Sequence, residues 1–503
     1  MNAQRIVVIG AGIAGLVAAL ELSAQGFNVT VVEKAAAPGG KMREVEVAGS
    51  AIDAGPTVFT MPWVFEAVFA AAGAALSDHV TLHPVEILAR HAWSAEQRLD
   101  LYADAARSAE AIGEFAGPAE ARRYLEFAER ARRIYQTLET PFLKSASPTP
   151  LTLIRDAGLR GLGDLSRISP FSTLWRALGE HFHDQRLRQL FGRYATYCGS
   201  SPFMAPATLM LVAHVERDGV WLIEGGMHRL AVALATLARA NGTSFRYGAE
   251  VGEVVVSGGR ATGIRLADGE LIAADADIAN ADIAAIGSGR LGAAIKSAVP
   301  RVPRSARSLS ALTWSLLAPT RGFPLLRHNV FFSASYASEF DDIFKRGRLP
   351  ATPTVYVCAQ YRDAQGNLCN SRGDAAERLL CLVNAPPTGD AHAFDSAEIA
   401  QCEERTFSLL ERCGLHLRRQ PARSVVTTPT DFNRLFPATG GALYGQASHG
   451  WMASFSRPGA RSTMPGLYLA GGSTHPGPGV PMAALSGRFA AAAVLADRAS
   501  ASR

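Results

Sequence analysis

Apolar positions along this chain follow two periods, and the change from one to the other marks the elements. Residues 6–9 are a continuous β-branched run, residues 13–25 are rich in Ala and Leu, and residues 29–32 are a second branched run that ends in Glu33. That succession predicts strand, helix stopped at Gly26, and strand, a βαβ unit. Residues 52–62 predict a strand entering a Gly-Pro loop, and an apolar helix follows over about 63–76. Residues 105–137 read as helical and amphipathic, with Arg122, Arg123, Glu126, Glu129, Arg130 and Arg133 spaced as on a solvated face. Residues 189–202 read as a single turn-ended helix whose Phe191, Tyr194 and Tyr197 fit a core with satisfied hydroxyls. A strand, the Gly225-Gly226 pair and a helix start follow at 219–230. Two alternating strands are expected at 244–256 and 261–272, the second with an Asp268-Gly269 hairpin signal. Between 309 and 426, strands at 354–359 and 378–384 and a helix over 396–413 mark a second domain. A last strand at 466–470 enters a glycine-rich turn and an Ala-rich helix that runs to Arg498.

The turn inside the first unit carries chemistry. Gly10, Gly12 and Gly15 stand at the spacing that gives a tight turn, a close approach of backbone to a pyrophosphate, and close helix–strand packing. A helix N-terminus there offers free N–H groups and partial positive charge, so a dinucleotide phosphate binds without a basic side chain. Glu33, 18 residues beyond Gly15, falls where a carboxylate accepts the adenosine ribose hydroxyls and repels a 2′-phosphate, which favours FAD or NAD over NADP. Beyond it, Pro38-Gly39-Gly40-Lys41-Met42-Arg43 reads either as a second approach to the phosphates, faced by Lys41 or Arg43, or as an ordinary turn. Residues 287–292 repeat the glycine spacing, but Pro300 and Pro303 cut off the helix and no acidic strand end follows, so they read as a loop. The chain is thus expected to hold one dinucleotide. Residues 471–482 open a second helix start that can face something anionic or electron-rich.

Length and composition narrow the classes. A chain of 503 residues exceeds a single core and predicts two or three domains. The net charge of +5 is too small for a nucleic-acid binder, and no basic run is interleaved with aromatics. Cys198, Cys358, Cys369, Cys381, Cys402 and Cys413 lack metal or redox spacing, so reduced thiols and no metal site are expected. The first strand begins too early for a signal peptide, and no uncharged apolar stretch of about 18 residues appears, so no span is expected. Residues 141–178 interleave Leu, Ile, Phe and Trp175 with Lys144, Arg155, Arg160, Arg167 and Arg176 against Asp156 and Asp164. That pattern suits a headgroup layer or a helix packed on its own domain.

Taken together, the N-terminal unit through GPTVFTMP, the mid-chain EGGMHRL, ATGIRLADG, Ala279-Asn280-Ala281-Asp282 and GLYLAGGSTHPGPGVPMAALSGR resemble bacterial carotenoid desaturases of the phytoene-desaturase type. These form a branch of the FAD-containing amine oxidase superfamily. Within it, QLFGRYATYCGSSP and GVWLIEGGMHRL look closest to the hydroxyneurosporene and methoxyneurosporene desaturases of purple bacteria, with Cys198 and Ser200 departing from the expected small aliphatic residue and glycine. The resemblance implies an α/β fold, a Rossmann-like FAD-binding domain with an inserted α+β substrate domain. Its parts would be 1–100, 216–300 and 446–503 for FAD, 101–215 for a helical substrate- or membrane-facing region, and 301–445 for the substrate domain. Gly10, Gly12, Gly15, Glu33 and Lys34 would hold the ADP half; Gly40, Lys41, Met42 and Arg43 would line the pyrophosphate; Pro56 and Thr57 would lie by the flavin. Val251 would contact the adenine side, and Gly472, Gly479, Val480 and Met482 the ribityl chain and ring, where a helix N-terminus stabilises the reduced, anionic ring. The implied activity is C3–C4 desaturation of an acyclic 1-hydroxy- or 1-methoxycarotenoid. Electrons would go to oxygen or a quinone, and the address would be peripheral, on the cytoplasmic side of the inner or intracytoplasmic membrane. Asp156 with Arg160, and His475, are the acid–base candidates, against a surface ion pair and a structural turn histidine. A phytoene- or neurosporene-type desaturase, a carotenoid isomerase and a non-catalytic isoprenoid carrier are the competing readings.

Overall fold

A computed structural model describes residues 4–149, 152, 171–369 and 376–501. The predicted βαβ unit is present as Arg5–Ile9, Ile13–Ala24 and Asn28–Glu33. Its strands are buried almost throughout because they lie in the middle of a five-stranded parallel sheet. Ala276–Ala279 and Leu467–Leu469 extend the sheet on one side and Ser244–Tyr247 on the other. Three distant parts of the chain therefore build one sheet, and each brings its C-terminal strand end to the same edge.

The helices that cover this sheet meet at very short range. A Cβ on Gly487 of the last helix, Val480–Ala501, would lie 2.3 Å from Ala14 O of the first helix, so only a glycine admits the crossing. Arg488 pairs with Glu21 at 2.6 Å beside that contact. The last helix is the one described helix long and apolar enough to cross a membrane, which the sequence reading did not single out. More than half of it is buried against the protein, so it is a core helix.

A second, mostly antiparallel sheet of eight strands stands over the first domain. Its centre is the long pair Ser310–Gly322 and Ala376–Ala385, and Ile87–Ala92 with Arg98–Tyr102 closes one end. Gln360 ties it down: its side chain accepts Asp53 N–H at 2.9 Å and donates to Asp53 O at 2.8 Å. The helix Ser396–Arg412 covers its outer face.

Four expected elements differ in their limits, each for a local reason. The helix expected over 63–76 ends at Ala71, because Gly73 takes a positive φ of 74°. Residues 105–137 form two helices, Ala105–Ala116 and Pro118–Leu138, because Gly117 adopts a φ of 97° and proline then starts a new helix. The strand expected over 244–256 divides into Ser244–Tyr247 in the parallel sheet and Val251–Ser257 in a separate three-stranded meander. Residues 189–202 give the end of one helix, Gln185–Gly192, and a tighter turn, Arg193–Cys198, closed by Gly199. The glycine-spaced residues 287–292 lie between a short helix and a 3-10 turn, as the loop reading expects.

Asp277 marks a polar weak point in the central sheet. It is fully buried on the strand Ala276–Ala279; Oδ2 accepts Gly263 N–H at 3.0 Å, and Oδ1 has no partner among the described residues. Burial pushes its carboxyl from the ordinary 3.8 up to about 7. A raised carboxyl binds its proton more tightly folded than unfolded, so its stabilisation is complete below about 3.8 and lost as pH rises through about 7. The Tm should therefore fall across that interval, and Asp277→Asn should flatten the fall, as read by thermal melts at stepped pH; parallel slopes for both proteins would contradict this assignment.

Candidate active site

The phosphate-binding turn is shaped by how little room it has. A Cβ on Gly15 would lie 2.2 Å from Gly10 O, and one on Gly40 would lie 3.1 Å from Gly12 Cα. Gly39 N–H bonds Ala11 O at 2.8 Å, so the Gly39–Gly40 turn lies directly on the first glycine turn. The N-cap, Gly12, has no side chain to cap the helix that starts there, and apart from Gly15 N–H, which a side chain from elsewhere takes, the first turn offers its N–H groups to an anion. Glu33 is buried at the end of its strand; one carboxylate oxygen accepts Ala11 N–H at 2.7 Å and the other Ala35 N–H at 2.8 Å. Each oxygen keeps a lone pair for a ribose hydroxyl. Val251 packs in the same small core as Val32, beside Glu33.

Asn280 joins the two ends of the chain at this point. Its Oδ1 accepts Gly15 N–H at 3.1 Å and its Nδ2 donates to Ala470 O at 3.1 Å. Its backbone N–H bonds Ile9 O, which continues the strand pairing. The next acidic residue, Asp282, caps a short helix, and Ser473 Oγ accepts Ile283 N–H at 3.1 Å. Through these bonds the turn at 471–479 stands beside the first glycine turn, although more than 400 residues separate them.

The basic residues after Glu33 turn toward a later segment. Lys34 donates to Leu435 O at 2.6 Å from an exposed position. Lys41 lies deep, donates to Leu443 O at 2.6 Å, and sits 5.2 Å from the Phe436 ring; burial lowers its pKa while Asp282 opposes that. Arg43 reaches Thr427 Oγ1 at 3.3 Å and the Phe432 ring. Met42 is buried in the core under the first helix. Arg457, which sequence reasoning missed, donates to Tyr444 O and Gly472 O at 3.3 and 3.1 Å and to Gln446 O, and burial lowers its pKa to about 10. No local pattern marks it, because its partners are all carbonyls from other turns.

The Gly-Pro loop brings a third wall. A Cβ on Gly55 would lie 1.9 Å from Lys41 O, so this loop crosses the Gly40–Lys41 turn with no space between. Asp53 just before it accepts Met227 and His228 N–H at 2.8 and 3.1 Å and so caps the helix His228–Ala240, a role also missed. Past Pro56, Thr57 Oγ1 meets Tyr356 Oη of the second sheet at 2.7 Å. On the remaining side stand Gly472, Gly479 and the part-buried Met482, with Val480 in the core. Ala483 N–H bonds Gly479 O at 2.8 Å.

His475 is buried, with Nε2 3.1 Å from Phe142 O and 2.8 Å from Ser145 O and its ring stacked on Phe489. Carbonyls accept only, so Nε2 carries the proton; burial pulls the pKa down to about 4 and keeps the ring neutral. The ring ties the segment after Leu138 to the last turn. Asp156 and Arg160 lie outside the described residues.

Comparison with known proteins places this geometry. The sequence profile of flavin containing amine oxidoreductases matches residues 13–495. The chain belongs to that family. Its cofactor is FAD, and its chemistry is that of a flavin-dependent oxidoreductase. The glycine cradle, the open helix start and Glu33 fit the ADP half of that cofactor. Among relatives, a hydroxyneurosporene desaturase from Rubrivivax gelatinosus is 57% identical over 504 residues, covering 100% of this chain and 95% of the relative. One from Cereibacter sphaeroides is 45% identical, covering 99% of each. A 4,4'-diapolycopene oxygenase from Methylomonas is 29% identical and covers 98% of each. Among solved structures, a putrescine oxidase variant redesigned in cofactor binding has a TM-score of 0.62 at 15% identity, covering 98% of this chain and 99% of its own. An oxidoreductase from Methanosarcina mazei has a TM-score of 0.59 at 17% identity, covering 98% and 100%.

The joint at Asn280 gives a test in this flavin oxidoreductase. Asn280→Asp keeps the shape but removes the donor to Ala470 O and sets a negative charge where the phosphate approaches. Flavin retained through gel filtration should fall at least about tenfold, equivalent to about 1.4 kcal/mol, with an unchanged far-UV spectrum. Full flavin content would show that this contact does not govern binding.

Proposed function

We propose that this flavin oxidoreductase is a carotenoid desaturase that introduces a C3–C4 double bond into acyclic 1-hydroxy- or 1-methoxycarotenoids. The observation that carries the reading is the 57% identity, over the whole chain, to a hydroxyneurosporene desaturase, with 45% and 42% to two others. Such a polyene is almost wholly apolar, so its binding rests on buried area, at about 25 cal/mol per Å². Bound FAD supplies the hydride acceptor. One hydride leaves C4, one proton leaves C3, and the electron pair of the broken C3–H bond becomes the new double bond. Oxygen or a membrane quinone would take up the electron pair and complete the cycle. The chain contributes orientation: the Gly55–Thr57 loop, Lys41 and the turn at Gly472 fix the site, and the second sheet closes over it.

A peripheral membrane address on the cytoplasmic side belongs to the same reading. Supporting it is an exposed apolar patch in which Phe171 is 78%, Met204 47%, Trp451 43% and Met452 44% accessible. The Phe171 and Trp451 rings meet edge-on at 5.3 Å, and Gly450 N–H bonds Met204 O at 3.0 Å, so the patch is continuous. Phe171 belongs in sequence to the basic stretch 141–178, whose Arg155, Arg160 and Arg167 lie outside the described residues. Aromatic rings beside basic residues suit a headgroup layer.

Two measurements check these statements. Incubated with hydroxyneurosporene, the FAD-loaded protein should give a product short of two hydrogens with red-shifted absorption. An isomer of equal mass, conversion of only unhydroxylated carotenoids, or a colourless protein that binds without converting would each replace the reading with a competitor. For the membrane surface, Phe171→Ser with Trp451→Ser should markedly lower co-sedimentation with anionic phospholipid vesicles; unchanged sedimentation would remove the patch from the contact.

A further inference from the structure

A polar cluster reaches from the tight turn after Gly192 to Thr57 of the Gly-Pro loop, and its one cation leaves most of its donors unused. Arg193 begins the tight turn Arg193–Cys198. Its guanidinium makes one hydrogen bond among the described residues, from Nη1 to Tyr197 Oη at 3.5 Å, and faces the rings of Tyr197 and Tyr356 at 5.4 and 5.3 Å. The Tyr197 hydroxyl is committed to Glu216, whose other oxygen accepts from Tyr194 at 2.6 Å. Across from it, Tyr356 Oη lies 2.7 Å from both Thr57 Oγ1 and His328 Nδ1, and His328 Nε2 is buried with no partner among the described residues.

Arg193 and Tyr197 are part-buried, and although burial disfavours the Arg193 charge, Tyr197 and the Glu216 carboxylate behind it outweigh burial and keep the guanidinium protonated. A guanidinium has five N–H donors and no acceptor. One long bond leaves most of them unmet, which a buried cation does not sustain without a partner.

Chemistry of the substrate supplies that partner. In a carotenoid oxygenated at C1, the oxygen is three bonds from C3, roughly 4 Å away at carbon–carbon lengths near 1.5 Å. Whatever holds this oxygen must therefore border the reacting carbons and not the far end of a tunnel. The cluster lies on the cofactor cradle: Thr57 shares a loop with Gly55, Gly55 presses on Lys41 O, and the neighbouring Gly40 lies on Gly12. Resting on the desaturase reading, we infer that Arg193, framed by Tyr197 and the Thr57–Tyr356–His328 chain, binds the C1 oxygen of the carotenoid end group. Arg193 is a specificity-determining residue that positions C3 and C4. It donates to a hydroxyl or an ether oxygen alike, and an end group without oxygen leaves its spare donors unmet.

A site built to bond a substrate oxygen rejects the analogue that lacks it far more strongly than an apolar pocket does. The test compares kcat/KM of the FAD-loaded enzyme for hydroxyneurosporene and for neurosporene, with substrate binding read by quenching of flavin fluorescence. Arg193→Met should lower the preference for the hydroxylated carotenoid at least about tenfold, with flavin absorbance unchanged, and Arg193→Lys should restore part of it. Tyr356→Phe, a smaller change, should lower the same preference less. Equal losses on both substrates, or a preference unmoved by Arg193→Met, overturn the inference. If the wild type converts neither carotenoid, the desaturase reading fails, while the binding ratio still decides whether Arg193 reads an oxygen.

Discussion

The structure depends on one close approach: the end of the first strand, the start of the first helix and the end of the last strand meet around a single amide side chain. Asn280 accepts from Gly15 N–H and donates to Ala470 O, and its carbonyl oxygen stands 2.7 Å from where a Cβ on Gly12 would be. A polar joint of this kind in a buried place is stable only when each atom is paired. Its consequence is positional. It holds the turn at 471–479 against the first glycine turn, and that pairing gives an extended cofactor a site contributed by both ends of the polymer.

Built on that joint are successive layers with no free space between them. The Gly39–Gly40 turn lies on Gly12, and the Gly55 loop lies on Lys41. Gln360 fastens the second sheet to Asp53, the residue that also caps the helix at His228. Each layer is fixed by backbone contact, so a side chain carried by the outer layers is aimed with little slack. Precise placement of that kind is what a hydride transfer between two bound partners requires.

Burial also separates the polar groups of the site by function. His475 gives its N–H to carbonyls and acts as a tie. Arg457 spends its donors on three carbonyls and welds the turns at 444–446 to Gly472. Arg193 is the exception, a deep cation whose donors the protein leaves largely unused. Residues of identical type thus divide into structural and ligand-facing groups by partner count, a distinction composition cannot make.

What the sequence alone determined was the part governed by short-range rules. Spacing among Gly10, Gly12 and Gly15, the acid at Glu33 and the strand–helix–strand pattern are constraints within one turn or one unit, so they can be read without knowing the rest of the fold. Where a single glycine resets the backbone the limits were not legible, as at Gly117, which divides the helical, amphipathic stretch into two helices. Tertiary structure alone decided which distant groups meet: Asn280 with Gly15, Arg457 with Gly472, Thr57 with Tyr356, and Arg193 beside the same ring. Those contacts are chosen by packing across separations of up to 299 residues, and no periodicity along the chain encodes a partner that only the folded core brings within reach.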